Sequence, residues 1–246
     1  MEFGENGAVI TEQNINAGAE EKASSIHAFA DGPKSLSGLF RWTTFALTGY
    51  CIVEALNALI SIFLVWLYLP STVVPFNLQT LETIDVGIAA AGISQLVLFW
   101  VSAFLVGRCT YRAMKNLYTI NSKHAEMSPG WAVGWYVIPI ASLFKPAEGM
   151  SQIVHGTRHA VGETSPSNSR IPLWWTFWLL TNISASISGQ LSKYADDLPL
   201  EITALALGGF SSLFGVLSAW ALLRVWRPVV RDQELIKHGG VAHIFD

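Results

Sequence analysis

Residues 129–146 read PGWAVGWYVIPIASLFKP, and this stretch decides how the rest of the chain can be arranged. Its apolar part, residues 131–144, has only 14 residues, too few to cross a bilayer as a helix. Pro139 stands inside it and removes a backbone donor that a continuous helix needs. Apolar runs of this length are more often re-entrant or interfacial segments than spans. The stretch therefore predicts an aromatic segment that does not cross the membrane.

Longer apolar segments flank this stretch, two before it and two after it. These segments run from about residue 45 to 69, 86 to 106, 173 to 191 and 202 to 225. Each is long enough to cross a bilayer as a helix with some tilt. The whole chain is 51% hydrophobic and 13% charged, whereas soluble domains carry about 25% charged residues. The predicted fold is an all-α integral membrane bundle of four transmembrane helices plus one short re-entrant or interfacial segment.

The rest of the chain divides into tails around this membrane domain. Residues 1–36 are rich in Gly, Ala, Asn, Ser and Glu and show no sustained apolar period, which predicts a disordered polar tail. No basic region precedes an early apolar core, so the beginning of the chain does not read as a signal peptide. The membrane domain is expected over 37–234 and a second tail over 235–246.

The basic residues choose between two topologies. With four crossings and a cytoplasmic N-terminus, fourteen of the fifteen Lys and Arg residues lie on the inner side and only Lys193 lies outside. If residues 131–144 also crossed, the division would be eight against seven. Because cytoplasmic loops carry an excess of Lys and Arg, four crossings are favoured. The predicted location is the cell membrane, with both termini cytoplasmic.

Two blocks of sequence carry a family resemblance. They read YRAxxNL at 111–117 and SPGWAVGWYxxPxxxLxKP at 128–146. This order resembles the core signature of the domain-of-unknown-function 4328 family, mostly bacterial multi-pass membrane proteins. In layout the resemblance extends over roughly 39–234. It implies an integral membrane fold and supplies no reaction.

The motif predicts either an interfacial wedge that sets the angle between the two helical hairpins, or a gate or ligand pocket above such a wedge. Pro129 suits the first turn of a helix, and Gly130 and Gly134 would allow close approach of a neighbouring helix. Arg112 and Lys145 can reach lipid phosphates or cap helix C-termini. The candidate motif residues are Arg112, Asn116, Pro129, Gly130, Trp131, Gly134, Trp135, Pro139, Lys145 and Pro146.

A second candidate site consists of polar residues inside the predicted spans. Counting from the span ends places Glu54, Asn57, Gln95 and Asn182 near the same mid-membrane depth. A carboxylate there costs about 2–3 kcal/mol, so it should face the bundle. The four residues predict one polar layer. It could hold the helices in register through hydrogen bonds, or serve as a proton or cation relay or a polar substrate site.

Evidence for chemistry is weak elsewhere. His155 and His159 are four residues apart, with Glu148 seven before His155, but a solvated helix face explains them without a metal. The chain shows no nucleophile motif, phosphate loop or dinucleotide fingerprint. We therefore predict no catalytic residues, no metal site and no cofactor.

These observations predict a non-enzymatic scaffold or sensor whose cytoplasmic face contacts anionic lipid headgroups. The alternative is a small transporter or proton-coupled channel that uses the polar layer around Glu54. A lipid-directed enzyme is the least favoured hypothesis. The net charge of −3 gives no reason to expect nucleic-acid binding. A homo-oligomer or a membrane protein partner is left open.

Overall fold

The computed structural model describes residues 32–68, 78–163, 170–194 and 197–240. Within these ranges the chain forms α1 (Ser37–Leu67), α2 (Leu78–Thr119), α3 (Pro129–Gly134), α4 (Lys145–Ala160), α5 (Arg170–Lys193) and α6 (Leu198–Leu235). Short 3₁₀ turns cover Trp135–Val137 and Ala141–Leu143, and a π-helical turn, Ile236–Gly240, continues α6. No described residue is in a β-strand. The prediction of an all-helical chain is confirmed.

Three stretches of the described helices are long and apolar enough to cross a membrane. They are Ser37–Leu67, Val86–Thr119 and Leu198–His238, judged by length and composition. The predicted span at 173–191 does form a helix, α5, but this helix is not among the three. Its second half, with Asn182, Ser184, Ser186 and Ser188, is too polar. Four crossings therefore stay a prediction.

The helices extend well past the predicted spans. Helix α2 has 42 residues, about 63 Å at 1.5 Å per residue, about twice the thickness of a hydrocarbon core. Hydropathy marks only the part of a helix that suits lipid, so it cannot locate where the helix ends. Residue 69, the predicted end of the first span, lies outside the described residues.

The aromatic stretch is broken, as predicted. Helix α3 begins with Pro129, and the Ser128 hydroxyl accepts a hydrogen bond from the Trp131 N–H at 3.4 Å. It lasts six residues and gives way to the 3₁₀ turn. Ile138 is extended, with φ −91° and ψ 114°, as expected of a residue before proline. These 14 residues cannot form one helix across a bilayer.

The break lets the chain return to the end of the bundle that it left. Asn116, in the last turn of α2, bonds to Gln233 near the end of α6. At the beginning of α5, the Arg170 side chain donates to the Arg224 carbonyl oxygen of α6 at 3.4 Å. The ends of α2 and α6 and the start of α5 therefore lie together. We call this the basic end, because it carries Arg112, Lys115, Arg158, Arg170, Arg224, Arg227 and Arg231.

The largest fully buried side chains show that the core is concentrated at the basic end. Trp174, Trp226, Met114 and Ile153 are all at most 2% exposed. They come from α5, α6, α2 and α4, so the short helix α4 seals the ends of the long ones. At the opposite end, the Tyr68 hydroxyl donates to Glu201 at 3.3 Å.

Both predicted tails need correction where they are described. Residues 32–36 belong to the folded unit, since Leu36 is 1% exposed within the core. Ile236 is 5% exposed and also packs, whereas 1–31 and 241–246 lie outside the described residues. The sequence hid the first boundary because backbone hydrogen bonds, rather than a periodic apolar face, hold residues 32–36.

Candidate functional site

Three of the four residues of the predicted polar layer come together between α1 and α2. The Gln95 amide nitrogen donates to Glu54 Oε1 at 2.8 Å. The Asn57 amide nitrogen donates to Gln95 Oε1 at 3.0 Å. The hydrogen bonds thus run from Asn57 to Gln95 and from Gln95 to Glu54, across the pair of helices. We call these three side chains the amide row.

Glu54 is enclosed by a third helix. Its side chain is 1% exposed, and α6 covers it at Gly215. A Cβ atom at position 215 would lie 3.3 Å from both Glu54 Cδ and the Tyr50 hydroxyl, so only glycine leaves the observed spacing undisturbed. Glu54 Oε2 is buried and accepts no hydrogen bond from the described residues. The carboxyl group is therefore held at one oxygen only.

Asn182 does not share this network, which corrects its predicted place. Its side chain is exposed and donates back to the Trp178 carbonyl oxygen of its own helix at 2.7 Å. Counting residues from the ends of a span gives the depth of a side chain along the helix axis. It does not give the partner that the side chain faces, because successive side chains are rotated by about 100° around the axis. Asn182 lies on the outer face of α5, while the neighbouring Thr181 carbonyl accepts from Ser211 of α6 at 3.0 Å.

Asn116 of the family motif is a buried connector. Its Oδ1 accepts from the Lys34 N–H and its Nδ2 donates to the Lys34 carbonyl oxygen, each at 2.9 Å. The same Nδ2 donates to Gln233 Oε1 at 2.8 Å. Gln233 in turn donates to Thr157 Oγ1 at 3.0 Å. This cluster joins the segment before α1 with α2, α4 and α6.

Gln233 and Thr157 were not predicted from the sequence, and neither was the role of Glu234. Leu36, at the N-cap of α1, offers no side-chain cap. Glu234 Oε1 supplies one from α6, accepting from the N–H groups of Leu36 and Ser37 at 2.8 and 2.9 Å. A carboxylate at a helix N-terminus is favourable for the exposed N–H groups and the helix dipole. No local sequence pattern pairs Glu234 with Leu36, which lies 198 positions away along the chain.

The remaining motif residues shape the broken aromatic stretch 129–146, which we call the insert, and two of them do so differently from prediction. Nothing lies within 4 Å of a Cβ placed on Gly130, and one placed on Gly134 would meet only Trp131 of the same helix. The insert instead approaches α2 at Gly107, where an added Cβ atom would lie 3.4 Å from Val133 Cγ1. The ring centroids of Trp131 and Trp135 lie 4.7 Å apart, with the ring planes tilted by 31°. Pro146 is buried in the first turn of α4.

Arg112, one of the two predicted lipid-contacting cations, lines a cavity. Lys145 instead pairs with Glu148 at 2.7 Å on the surface of α4. The cavity beside Arg112 measures about 640 Å³. Its cationic lining consists of Lys34, Arg108, Arg112 and Lys115, with Phe104 and Val133 on the apolar side. We call it the basic pocket.

The predicted histidine pair gains a third member in the structure. The His124 ring centroid lies 5.1 Å from that of His159 and 6.4 Å from that of His155. Burial, then the nearby His124 and Arg158, lowers the pKa of His155, which favours its neutral form at pH 7. Even so, the described residues contain no group of three or more His, Cys, Asp or Glu side chains placed to hold a metal ion.

The profile of a family described as Domain of unknown function (DUF4328) matches residues 75–230. The chain belongs to the DUF4328 family. The match begins after α1 and contains both motif blocks, 111–117 and 128–146, which confirms the predicted family resemblance. Arg112, Asn116 and Gln95 lie inside the match, and Glu54 lies outside it. No curated protein and no solved structure matches the chain.

Proposed function

We propose that this protein is a multi-pass cell-membrane scaffold or sensor, without enzymatic activity, that binds the headgroup of an anionic lipid in the basic pocket. The observation that carries this proposal is the pocket itself: four cationic side chains around about 640 Å³, next to an exposed apolar surface. A phosphate oxygen can accept charge-assisted hydrogen bonds from such groups. An acyl chain can then lie on the apolar side.

The arrangement of cations along α2 supports a lipid as the ligand. Arg108, Arg112 and Lys115 are spaced four and three residues apart and therefore share one face of the helix. Phe104 stands one turn before Arg108 on that face and is 62% exposed. Cationic groups placed just past an apolar helix surface are where phosphates and acyl chains meet.

The proposal also includes the topology: the chain crosses the membrane four times and both termini are cytoplasmic. In this arrangement α5 is the fourth crossing. Helix α6 accepts hydrogen bonds from some of its polar side chains, and the Ser188 hydroxyl donates to the Ala204 carbonyl oxygen at 2.8 Å. The insert begins and ends at the basic end. The excess of Lys and Arg at that end favours the cytoplasmic side.

A sensing role is supported by hydrogen bonds between pocket residues and the segment before α1. Arg112 donates to the Ser35 carbonyl oxygen at 3.1 Å, and the Lys34 backbone is held by Asn116. A bound headgroup would thus contact the residues that fix the segment before α1. Lipid binding would be coupled to the attachment of that segment.

Lipid titration of purified full-length protein in detergent tests the pocket. We compare wild type with Arg108→Gln/Lys115→Gln, using short-chain phosphatidylglycerol and phosphatidylcholine and counting bound lipids by native mass spectrometry. Each cation contributes about 1 kcal/mol to binding an anionic lipid. We therefore expect phosphatidylglycerol affinity to fall about 30-fold in the double variant, with little change for phosphatidylcholine.

The matched control is Arg227→Gln/Lys237→Gln, which removes the same charge from exposed residues at the same end but outside the pocket. We expect this control to keep most of the affinity for phosphatidylglycerol. Equal losses in the two double variants would show that lipids respond to overall surface charge, and the pocket would not be a binding site.

The small transporter or proton-coupled channel stays as the second candidate. One observation favours it, namely the buried carboxyl group of Glu54 with an unpartnered oxygen. An ionisable residue inside a membrane bundle is a functional candidate by default.

A further inference from the structure

We propose that Glu54 is a binding site for a single positive charge, a proton or a sodium ion, held at Oε2 inside the helix bundle. The site is separate from the basic pocket and does not depend on lipid binding. It is formed by the Glu54 carboxyl group, with Tyr50, Gln95 and Asn57 around it and Gly215 as its cover.

The first argument is the cost of an isolated buried charge. Removing a carboxylate from water is expensive unless an opposite charge and hydrogen bonds replace the solvent. Glu54 is 1% exposed and receives one hydrogen bond from a neutral amide. None of the ion pairs among the described residues includes Glu54. A positive partner is therefore needed, and neither α1 nor its described neighbours supply one.

The second argument concerns the neighbours on each packed helix. On α1, Tyr50 and Cys51 are close enough to interact electrostatically with the carboxyl group, and both are neutral in their ordinary form. Helix α2 presents the amide of Gln95, and α6 presents the glycine Gly215. The Tyr50 hydroxyl lies beside the carboxyl group and interacts with it, although Oε2 accepts no well-aligned hydrogen bond from the described residues. A hydroxyl could offer a dipole there but brings no net charge.

The third argument is the direction of the amide row. The Gln95 amide is committed to Oε1 as a donor, because its carbonyl oxygen already accepts from Asn57. The amide row therefore determines that Glu54 Oε1 accepts the hydrogen bond and that Oε2 does not. Gln95 and Asn57 are half-buried, whereas Glu54 is fully buried. The row runs from a partly open surface between α1 and α2 to the site that takes the charge.

Thermal unfolding of the purified full-length protein tests this site. A cation that binds only the folded state raises its stability. Relative to Glu54→Gln, the wild-type midpoint should rise as the pH falls, or as sodium chloride replaces choline chloride at constant pH. Glutamine keeps the acceptor for Gln95 and needs no positive partner, so this dependence should be absent in Glu54→Gln. The control Glu201→Gln removes an exposed acid at the opposite end and should behave as wild type.

The two conditions separate the occupants. A response to pH alone identifies the proton, and a response to sodium at constant pH identifies the sodium ion. A wild-type midpoint that differs from Glu54→Gln by a constant amount under every condition would overturn the proposal. A Glu54→Gln protein that keeps the full wild-type dependence would overturn it as well.

Should Glu54→Gln fail to fold, labelling of wild type with dicyclohexylcarbodiimide decides the question. The acid O–H adds across one C=N bond of the reagent: the proton goes to nitrogen and the carboxyl oxygen bonds to carbon. An O-to-N acyl shift then leaves a stable N-acylurea, with no group lost. We expect peptide mapping to place the adduct on Glu54 and labelling to fall at higher pH or with sodium. Absence of the adduct, or labelling indifferent to both, would overturn the proposal.

Discussion

Asn116 shows how much one side chain can fix at the residue scale. It is 4% exposed and makes three hydrogen bonds, to both backbone groups of Lys34 and to the buried side chain of Gln233. Truncating it leaves Gln233 Oε1 without its donor. An unpaired buried polar group costs about 1–3 kcal/mol. We expect Asn116→Ala to lower the free energy of unfolding by this amount in a denaturant titration.

Asn182→Ala is the matched control for that experiment. It removes the same amide, but from an exposed position bonded only to its own helix. Its effect should stay within about 0.5 kcal/mol, as for most surface substitutions. Equal losses in the two variants would show that the Asn116 cluster contributes no more than an exposed amide.

At the scale of elements, the contact between α1 and α6 depends on Gly215. A side chain there would push against Glu54 and Tyr50, since even a Cβ would lie 3.3 Å from their atoms. Overpacking of this kind costs about 1–3 kcal/mol. We expect Gly215→Leu to lower the thermal unfolding midpoint and to weaken the pairing of α1 with α6.

Gly189 of α5 serves as the reference glycine. A Cβ there meets nothing within 4 Å, and replacing a helical glycine gains up to about 1 kcal/mol of helix propensity. Gly189→Leu should therefore hold or raise the midpoint. A drop as large as that of Gly215→Leu would mean that close packing at Gly215 is not what holds α1 against α6.

The elements also show what a sequence can and cannot reveal. Pro129 and Pro139 act through local sterics, so the start of α3 and the break after it were predictable. Glu54 and Gln95 met as expected because depth along two neighbouring helices is easily counted. Asn182 and Gly130 did not behave as expected because the partner of each helix face depends on tertiary packing. The Asn116–Gln233 bond, across 117 positions, had no local signal.

At the scale of the whole molecule, the insert determines where every later element lies. It leaves α2 and delivers the chain to α5 at the basic end, so Trp175 of α5 can donate to the Leu143 carbonyl oxygen at 2.9 Å. The basic pocket, the Asn116 cluster and the cap on α1 all lie at that end. Glu54 lies near the middle of α1, away from the basic end, and contacts none of these three features through the hydrogen bonds described. The proposed lipid site and the proposed cation site are therefore independent.

Labelling of single cysteines in sealed vesicles tests the non-crossing insert most directly. With Cys51 and Cys109 replaced by serine, Lys145→Cys, Lys237→Cys and Lys193→Cys are each treated with a membrane-impermeant maleimide in right-side-out and inverted vesicles. All three positions are exposed in part or in full. We predict that Lys145→Cys and Lys237→Cys react from the same side and Lys193→Cys from the other. Reaction of Lys145→Cys and Lys193→Cys from one side would contradict this arrangement.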